Sequence, residues 1–255
     1  MNPKIVLITG AGSGIGRGIA ESLAAEGMTV VTTDLDEAAA LETASLIKQK
    51  GGNARAFKLD VTDESSISQL GAFLDDLPVD ILINNAGLQF VSPLEDFPQD
   101  KWDLVIKVML NGACLMTRAF LPSMKRNNFG RIVNMGSIHS LVASPFKSAY
   151  VTAKHGLMGF SKVIALETAA FDITVNTVCP SYVKTPLVDK QIANQAKAHH
   201  ISEEDVIKNI MLKPMPKGVF ISMEELSGII LFLVSGAARN ITGQAITVDG
   251  GWTIQ

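Results

Sequence analysis

Short apolar runs rich in β-branched residues alternate with longer amphipathic ones along almost the whole chain. No other feature constrains the fold as much. KIVLIT (Lys4–Thr9), TVVTT (Thr29–Thr33), ARAFKL (Ala54–Leu59), DILIN (Asp80–Asn84), RIVNMG (Arg131–Gly136), ITVNTV (Ile173–Val178) and AITVDG (Ala245–Gly250) read as strands. Gly14–Glu26, Glu37–Lys50, Glu64–Asp75, Asp100–Lys125 and Ser148–Ala170 read as helices between them. Strand–helix–strand repeats close as right-handed crossovers. The alternation therefore predicts an α/β fold: a doubly wound parallel sheet of about seven strands with helices on both faces. Several strands are apolar on both sides, as a covered parallel sheet requires. No Pro/Gly/Ser-rich linker divides the 255 residues, so residues 1–255 are expected to form a single domain. Residues 187–218 break the rhythm: they are polar, carry His199 and His200, and end in KPMPKG. A helical lid over a ligand is expected there.

Composition narrows the partners. Apolar residues make up 47% and charged residues 18%, the balance of a globular chain rather than a disordered one. A net charge of −3 without a basic stripe argues against nucleic acid and against a membrane surface. The opening MNPKIVLITGAG has too few consecutive apolar residues for a signal-peptide core, and the run Ile229–Val234 is too short to span a bilayer. Cys114 and Cys179 stand far apart with no CxxC, and both are expected as buried, reduced thiols. A cytoplasmic protein is the expectation. His199 and His200 are adjacent and point to different faces, with no spaced Cys or carboxylate partner, so no metal site is expected.

TGAGSGIG, Thr9–Gly16, ends the first strand and opens the first helix. Gly10, Gly14 and Gly16 lack a Cβ, which lets the backbone turn sharply and approach a pyrophosphate. Ser13, Ile15 and the first helical turn offer N–H donors to it. Such a turn also occurs without a ligand, but Asp34 favours the ligand reading. It ends the second strand at the offset where a carboxylate meets an adenosine ribose. It could instead cap the following helix, a role also open to Asp36. A carboxylate there repels a ribose phosphate, so NAD is expected rather than NADP. Asp60 and Val61 follow the third strand and are expected to flank the adenine. NNAG closes the fourth strand at another ligand-facing turn, with Asn84, Ala86 and Gly87 as cofactor contacts.

SAYVTAK places Tyr150 and Lys154 one helical turn apart. A phenol titrates near 10, and its use as a base near neutrality needs a shift worth roughly 3–4 kcal/mol. One cation at about 4 Å, in an effective dielectric near 20, supplies about 4 kcal/mol. A single lysine is therefore of sufficient magnitude. TGAGSGIG, NNAG, Asn111, Ser137 and Tyr150-x-x-x-Lys154 resemble the short-chain dehydrogenase/reductase family in order and approximate spacing. The resemblance implies a Rossmann-type domain, a nicotinamide cofactor and hydride transfer at a carbinol carbon. It implies that Tyr150 is the acid and base, that Lys154 also bonds the nicotinamide ribose, and that Ser137 holds the substrate oxygen. Asn111 would anchor a water that relays the proton outward. Singly, Ser137 reads as a cap, Asn111 as a kink in a helix, and Tyr150 with Lys154 as a packed aromatic beside a snorkelling lysine. Their joint occurrence is what carries the reading.

Gln89, His139, Lys147 and Gln191 could together hold a small carboxylate, which needs a cation and further donors when drawn out of water. NNAGLQ, SIHSLVASPFKSAYVTAKHG, TPLVDKQI and VDGGWT resemble the D-β-hydroxybutyrate dehydrogenase branch of the family. In that branch the residues matching these four grip the carboxylate, and a Trp matching Trp252 arrives from a neighbouring subunit's tail. Pro180, Val183 and Thr185 match positions beside the carboxamide. Ser181 departs from the family's Pro-Gly. The helix from Ser148 is apolar around its circumference, and with the resemblance this implies a homotetramer. Other hydroxy acids, sugar acids or ketoacyl substrates are the alternative, and a non-catalytic nucleotide sensor is a third reading.

Overall fold

The computed structural model describes residues 3–75, 77–185, 188–189, 192–193, 196–197 and 200–254. Seven strands form one sheet: β1 (Ile5–Thr9), β2 (Thr29–Asp34), β3 (Asn53–Lys58), β4 (Ile81–Asn84), β5 (Gly130–Met135), β6 (Ile173–Pro180) and β7 (Ala245–Val248). Their order is β3-β2-β1-β4-β5-β6-β7 and every pairing is parallel. The expected α/β class, strand count and single Rossmann-type domain are what the structure has. The order reverses beside β1, which pairs with β2 on one edge and β4 on the other.

Alternation along the strands explains why both faces are covered. Val6 and Ile8 of β1 enter one core with Ile19 and Leu23 of α1 (Gly14–Ala25) and Ile47 of α2 (Glu37–Gln49). Ile5 and Leu7, one residue out of step, enter the other. There they meet Ile67 and Leu70 of α3 (Glu64–Leu74) and Met116, Phe120 and Met124 of α5 (Gly112–Arg126). All eight residues of β6 are buried. Further helices are α4 (Gln99–Ile106), α6 (Ser148–Glu167), α7 (Glu203–Val206) and α8 (Met223–Val234). Asp36 caps α2 by accepting from the N–H groups of Ala38 and Ala39, which leaves Asp34 free of that task.

The helix expected over Asp100–Lys125 is interrupted. A π turn at Lys107–Asn111 joins α4 to α5. The whole stretch Gln99–Arg126 is 28 residues long, with the length and hydropathy of a membrane span. Its Val105, Met109, Met116, Phe120 and Met124 are instead buried inside the fold. Cys179 is buried as expected, but Cys114 is exposed on α5, because the inward face of that helix is taken by Ala113, Met116 and Thr117.

Gly16 sets the packing of α1 on the turn before it. A Cβ there would lie 2.2 Å from the Gly10 carbonyl oxygen, a backbone atom that cannot rotate away. Gly16→Ala is expected to cost about 1–3 kcal/mol and to lower Tm by roughly 3–10 °C in differential scanning fluorimetry. An unchanged Tm would contradict this packing.

Candidate active site

The C-terminal ends of β1, β4, β5 and β6 meet where the strand order reverses, and the chain's reactive side chains gather there. The glycine turn is clamped to the NNAG turn. Asn85 Nδ2 donates to the carbonyls of Thr9 (2.9 Å) and Gly10 (3.0 Å), and Thr9 Oγ1 accepts from the N–H groups of Asn85 and Ala86. Gly10 has φ +62°, and a Cβ on it would strike the Ala86 backbone at 2.9 Å. Gly14, at φ +54°, faces open space. Ser13 stands at the α1 N-cap without a side-chain capping bond, so the first-turn N–H groups of Gly14, Ile15 and Gly16 are unclaimed by it. A cradle of this kind fits a pyrophosphate.

Asp34 accepts from Gly12 N–H (2.9 Å) and Asp36 N–H (3.1 Å), so its carboxylate is oriented beside the turn. Gly12 escaped the sequence reading, although a Cβ there would sit 2.7 Å from Asp34 Oδ2. Arg17 lies close by, but its guanidinium bonds Gly12 O and Glu42 and is not a free cation. Asp60 turns its carboxylate onto Thr62, and Val61 is buried against Gly112. Gly87 is exposed at the mouth of the NNAG turn. Pro180 ends β6, Val183 bridges Ile221, and Thr185 is buried just beyond. Ser181 takes no left-handed conformation, so the departure from glycine costs no backbone strain. Its hydroxyl donates to Met215 Sδ.

Gln89, Ser137, His139, Lys147, Tyr150 and Trp252 line one cleft of about 120 Å³. Ser137 reaches it as the cap of the short 3-10 turn Ile138–Ser140, in a capping box with Ser140. The cap reading and the site reading of Ser137 are thus both true. His139 lies with Nδ1 3.3 Å from Ser137 Oγ and Nε2 2.8 Å from Ser144 Oγ, and its ring stands edge-on to Tyr150. Tyr182 also lines the cleft; its only sequence signal was its place just after Pro180 and Ser181. On α6, Lys154 is buried, its ammonium donating to the Met135 carbonyl and lying 5.6 Å from the Tyr150 ring centre.

The charges of this cluster are governed by burial. Desolvation raises the Tyr150 phenol, although a hydrogen bond with Ser137 opposes this, and desolvation pushes Lys154 down to about 8. A lysine-driven depression of Tyr150 is therefore not present in the chain alone, because the interior disfavours phenolate and ammonium alike. Burial also lowers Lys147. Burial first, and Lys147 second, pushes His139 down to about 4.

Some expectations need correction, and some fall outside the described residues. Asn111 is exposed at the end of the π turn, and Val108, Met109, Gly112 and Ala113 of that stretch line a small space with Lys154. Asn84 turns its amide into the sheet rather than toward the glycine turn, donating to Asn134 Oδ1 at 2.8 Å. Trp252 lines the cleft of its own chain. Asp249 accepts from Gly251 N–H, Thr253 N–H and Thr253 Oγ1, and Gly250 and Gly251 (φ +60° and +91°) fold the tail back. Trp252 then packs on Tyr182 and His139. Gln191, Leu187 and His199 lie outside the described residues. Among the described residues no cluster of His, Cys, Asp or Glu could hold a metal.

A family model described as short chain dehydrogenase matches residues 4–196. A D-beta-hydroxybutyrate dehydrogenase of Rhizobium meliloti is 44% identical, covering 99% of both chains. One of Cupriavidus necator is 41% identical over 100% of both. An actinorhodin polyketide ketoreductase crystallised with NADPH superposes with a TM-score of 0.94 at 30% identity, covering 100% of this chain and 98% of that one.

Two outcomes follow from this geometry. In a Trp102→Phe background, Asp249→Ala releases the tail, and the emission of Trp252 moves to longer wavelength. An unmoved emission maximum would show that the carboxylate does not hold it. Between pH 6.5 and about 4 the unfolded chain binds a proton at His139 that the folded chain refuses, so stability falls as pH drops through that window. His139→Gln is expected to lose less Tm than the wild type over the same window; equal losses would refute the shift.

Proposed function

We propose, given that this chain belongs to the short chain dehydrogenase family and is an oxidoreductase built for a nicotinamide cofactor, that it oxidises D-3-hydroxybutyrate reversibly to acetoacetate with NAD. The observation that carries the proposal is the shared cleft. Tyr150, the acid and base, Ser137, which holds the reacting oxygen, and a carboxylate-holding set, Gln89, His139 and Lys147, face the same space of about 120 Å³. A cleft of that size has room for a four-carbon acid. Relatives with this printed activity at 41–44% identity support the same substrate.

Each residue has a part in that reading. Lys147 is the counter-charge for the substrate carboxylate. His139, neutral at physiological pH, and Gln89 are hydrogen-bonding partners, and the family resemblance adds Gln191 to them. Ser137 Oγ holds the substrate hydroxyl, and Tyr150 takes its proton as the hydride leaves the same carbon. When bound, the oxidised nicotinamide accepts that hydride and adds a positive charge close to Tyr150. Lys154 supports the phenolate and the ribose. Burial raises the phenol in the chain alone, so lysine and cofactor must act together to bring it into the working range.

Asp34 favours NAD, since its carboxylate repels a ribose 2′-phosphate and Arg17 is already paired with Glu42. Residues 187–218 act as the lid; Val188, Ile192, Val206 and Met211 form a small cluster with Tyr182 at its base. Val163 and Leu166 are exposed on α6, as a helix face shared between subunits of a homotetramer would be. The cytoplasm is the proposed location.

The test is NADH formation with each enantiomer of 3-hydroxybutyrate and with each cofactor. The D form with NAD is expected to turn over, the L form not, and kcat/KM with NADP to be at least about tenfold lower. Lys147→Ala is expected to raise KM for D-3-hydroxybutyrate by about tenfold or more, the loss of one desolvated ion pair, with the Kd for NADH unchanged. Turnover of another hydroxy acid at higher kcat/KM would replace this substrate.

A further inference from the structure

Apart from the cleft, Lys154 borders a much smaller space of about 10 Å³. Lys154, Asn84 and Thr9 line it together with the apolar Met109, Val61 and Leu157. It is the size that one water's centre requires. Asn84 is 6% exposed, and its Oδ1 is buried with no hydrogen-bond partner in the protein. An acceptor stranded in this way is costly unless something donates to it.

The orientation of that amide is dictated from behind. Ser161 Oγ donates to the Leu157 carbonyl (2.8 Å) and takes a bond from Asn134 Nδ2 (2.8 Å). Asn134 must then present Oδ1 to Asn84, which must present Nδ2 to Asn134 and, at 3.3 Å, to Thr117 Oγ1. A flip of Asn84 would set two oxygens face to face. The array therefore runs in one direction and ends in an acceptor whose strength rises with each bond behind it. Thr9 Oγ1 already accepts from Asn85 and Ala86, so its proton remains to donate.

We infer that Asn84 is a positioning residue for Lys154: through one buried water, its Oδ1 accepts a hydrogen bond from the lysine ammonium and so holds the charge that Tyr150 depends on. The water would donate to Asn84 Oδ1 and accept from Lys154 Nζ and Thr9 Oγ1, the three partners typical of a buried water. With Met135 O on another proton of the ammonium, two of its three donors are used inside the protein. The titratable groups facing that ammonium are Tyr150 on α6 and Cys179 on β6, whose thiol burial keeps neutral. The inference rests on the proposed role of Tyr150 and Lys154 but not on the identity of the substrate.

The chain has two tyrosines, so a Tyr182→Phe background isolates Tyr150 in an ultraviolet titration of the phenolate, with NAD bound. Asn84→Ala is expected to raise the pH of Tyr150 ionisation, because the ammonium loses its acceptor. Asn84→Asp is expected to lower it, because a negative charge holds the ammonium more firmly. Each shift should be about half to one pH unit. Thr117→Val removes one weak bond behind Asn84 without touching its acceptor end and should shift the titration much less than either Asn84 variant. Shifts of the same sign in both Asn84 variants, or a shift in Thr117→Val equal to theirs, would overturn the inference. Lys154→Met is the control for the underlying reading. If it too leaves Tyr150 unmoved, the tyrosine–lysine mechanism fails; if it moves Tyr150 while Asn84 does not, only the present inference fails.

Discussion

A sheet covered on both faces leaves its polar chemistry one outlet, the ends of its strands. The inner strands hand their two side-chain rows to two separate cores, and β6 has no exposed residue at all. Backbone groups inside the sheet pair with their neighbours, and those beyond the strand ends must find other partners. At the C-terminal edge they find them in the clamp between Thr9, Gly10 and Asn85 and in the capping box of Ser137 and Ser140. The clamp leaves the first turn of α1 facing outward, and the box sets Ser137 beside Tyr150. Site and scaffold thus answer the same need.

The buried charges show why magnitude has to be weighed in place. A lysine one turn from a tyrosine is, on Coulomb's law alone, enough to make a phenol useful near neutrality. The interior subtracts from that sum. Burial moves both groups toward their neutral forms, and the ammonium spends one of its bonds on the Met135 carbonyl. The working state of the pair therefore needs further support, from cofactor charge on one side and from the polar array that ends at Asn84 on the other. His139 illustrates the same rule with a different result. Kept neutral by burial and by Lys147, it suits hydrogen bonding to an anion better than charge pairing with one.

Much of this was legible in the residue order. Short β-branched apolar runs marked the strands to within one or two residues, because a strand buried on both faces has few alternatives. The glycine turn, Asp34, Ser137, Tyr150 and Lys154 were recognisable because their chemistry requires particular residue types at particular offsets. That Asn111 ends a π turn was not legible, because spacing along a helix does not say where a turn widens. Asn84 was taken for a ligand contact because it stands in a ligand-facing motif; its amide direction is decided by Asn134 and Ser161, 50 and 77 positions further along. Gly12 and Tyr182 carried too little local signal to be singled out.

Local order, then, determined the parallel α/β architecture, the turn that accepts a phosphate and the types of group available for proton transfer, since these depend on periodicity and on chemistry within a few residues. Tertiary structure alone decided that Trp252 lines the cleft of its own chain, that Lys147 and His139 share a space with Tyr150, and that Asn84, whose side-chain oxygen has no protein partner, borders the same small space as Lys154. The physical reason is that burial and hydrogen-bond direction arise between strands and helices far apart in sequence, and neither exists until they pack.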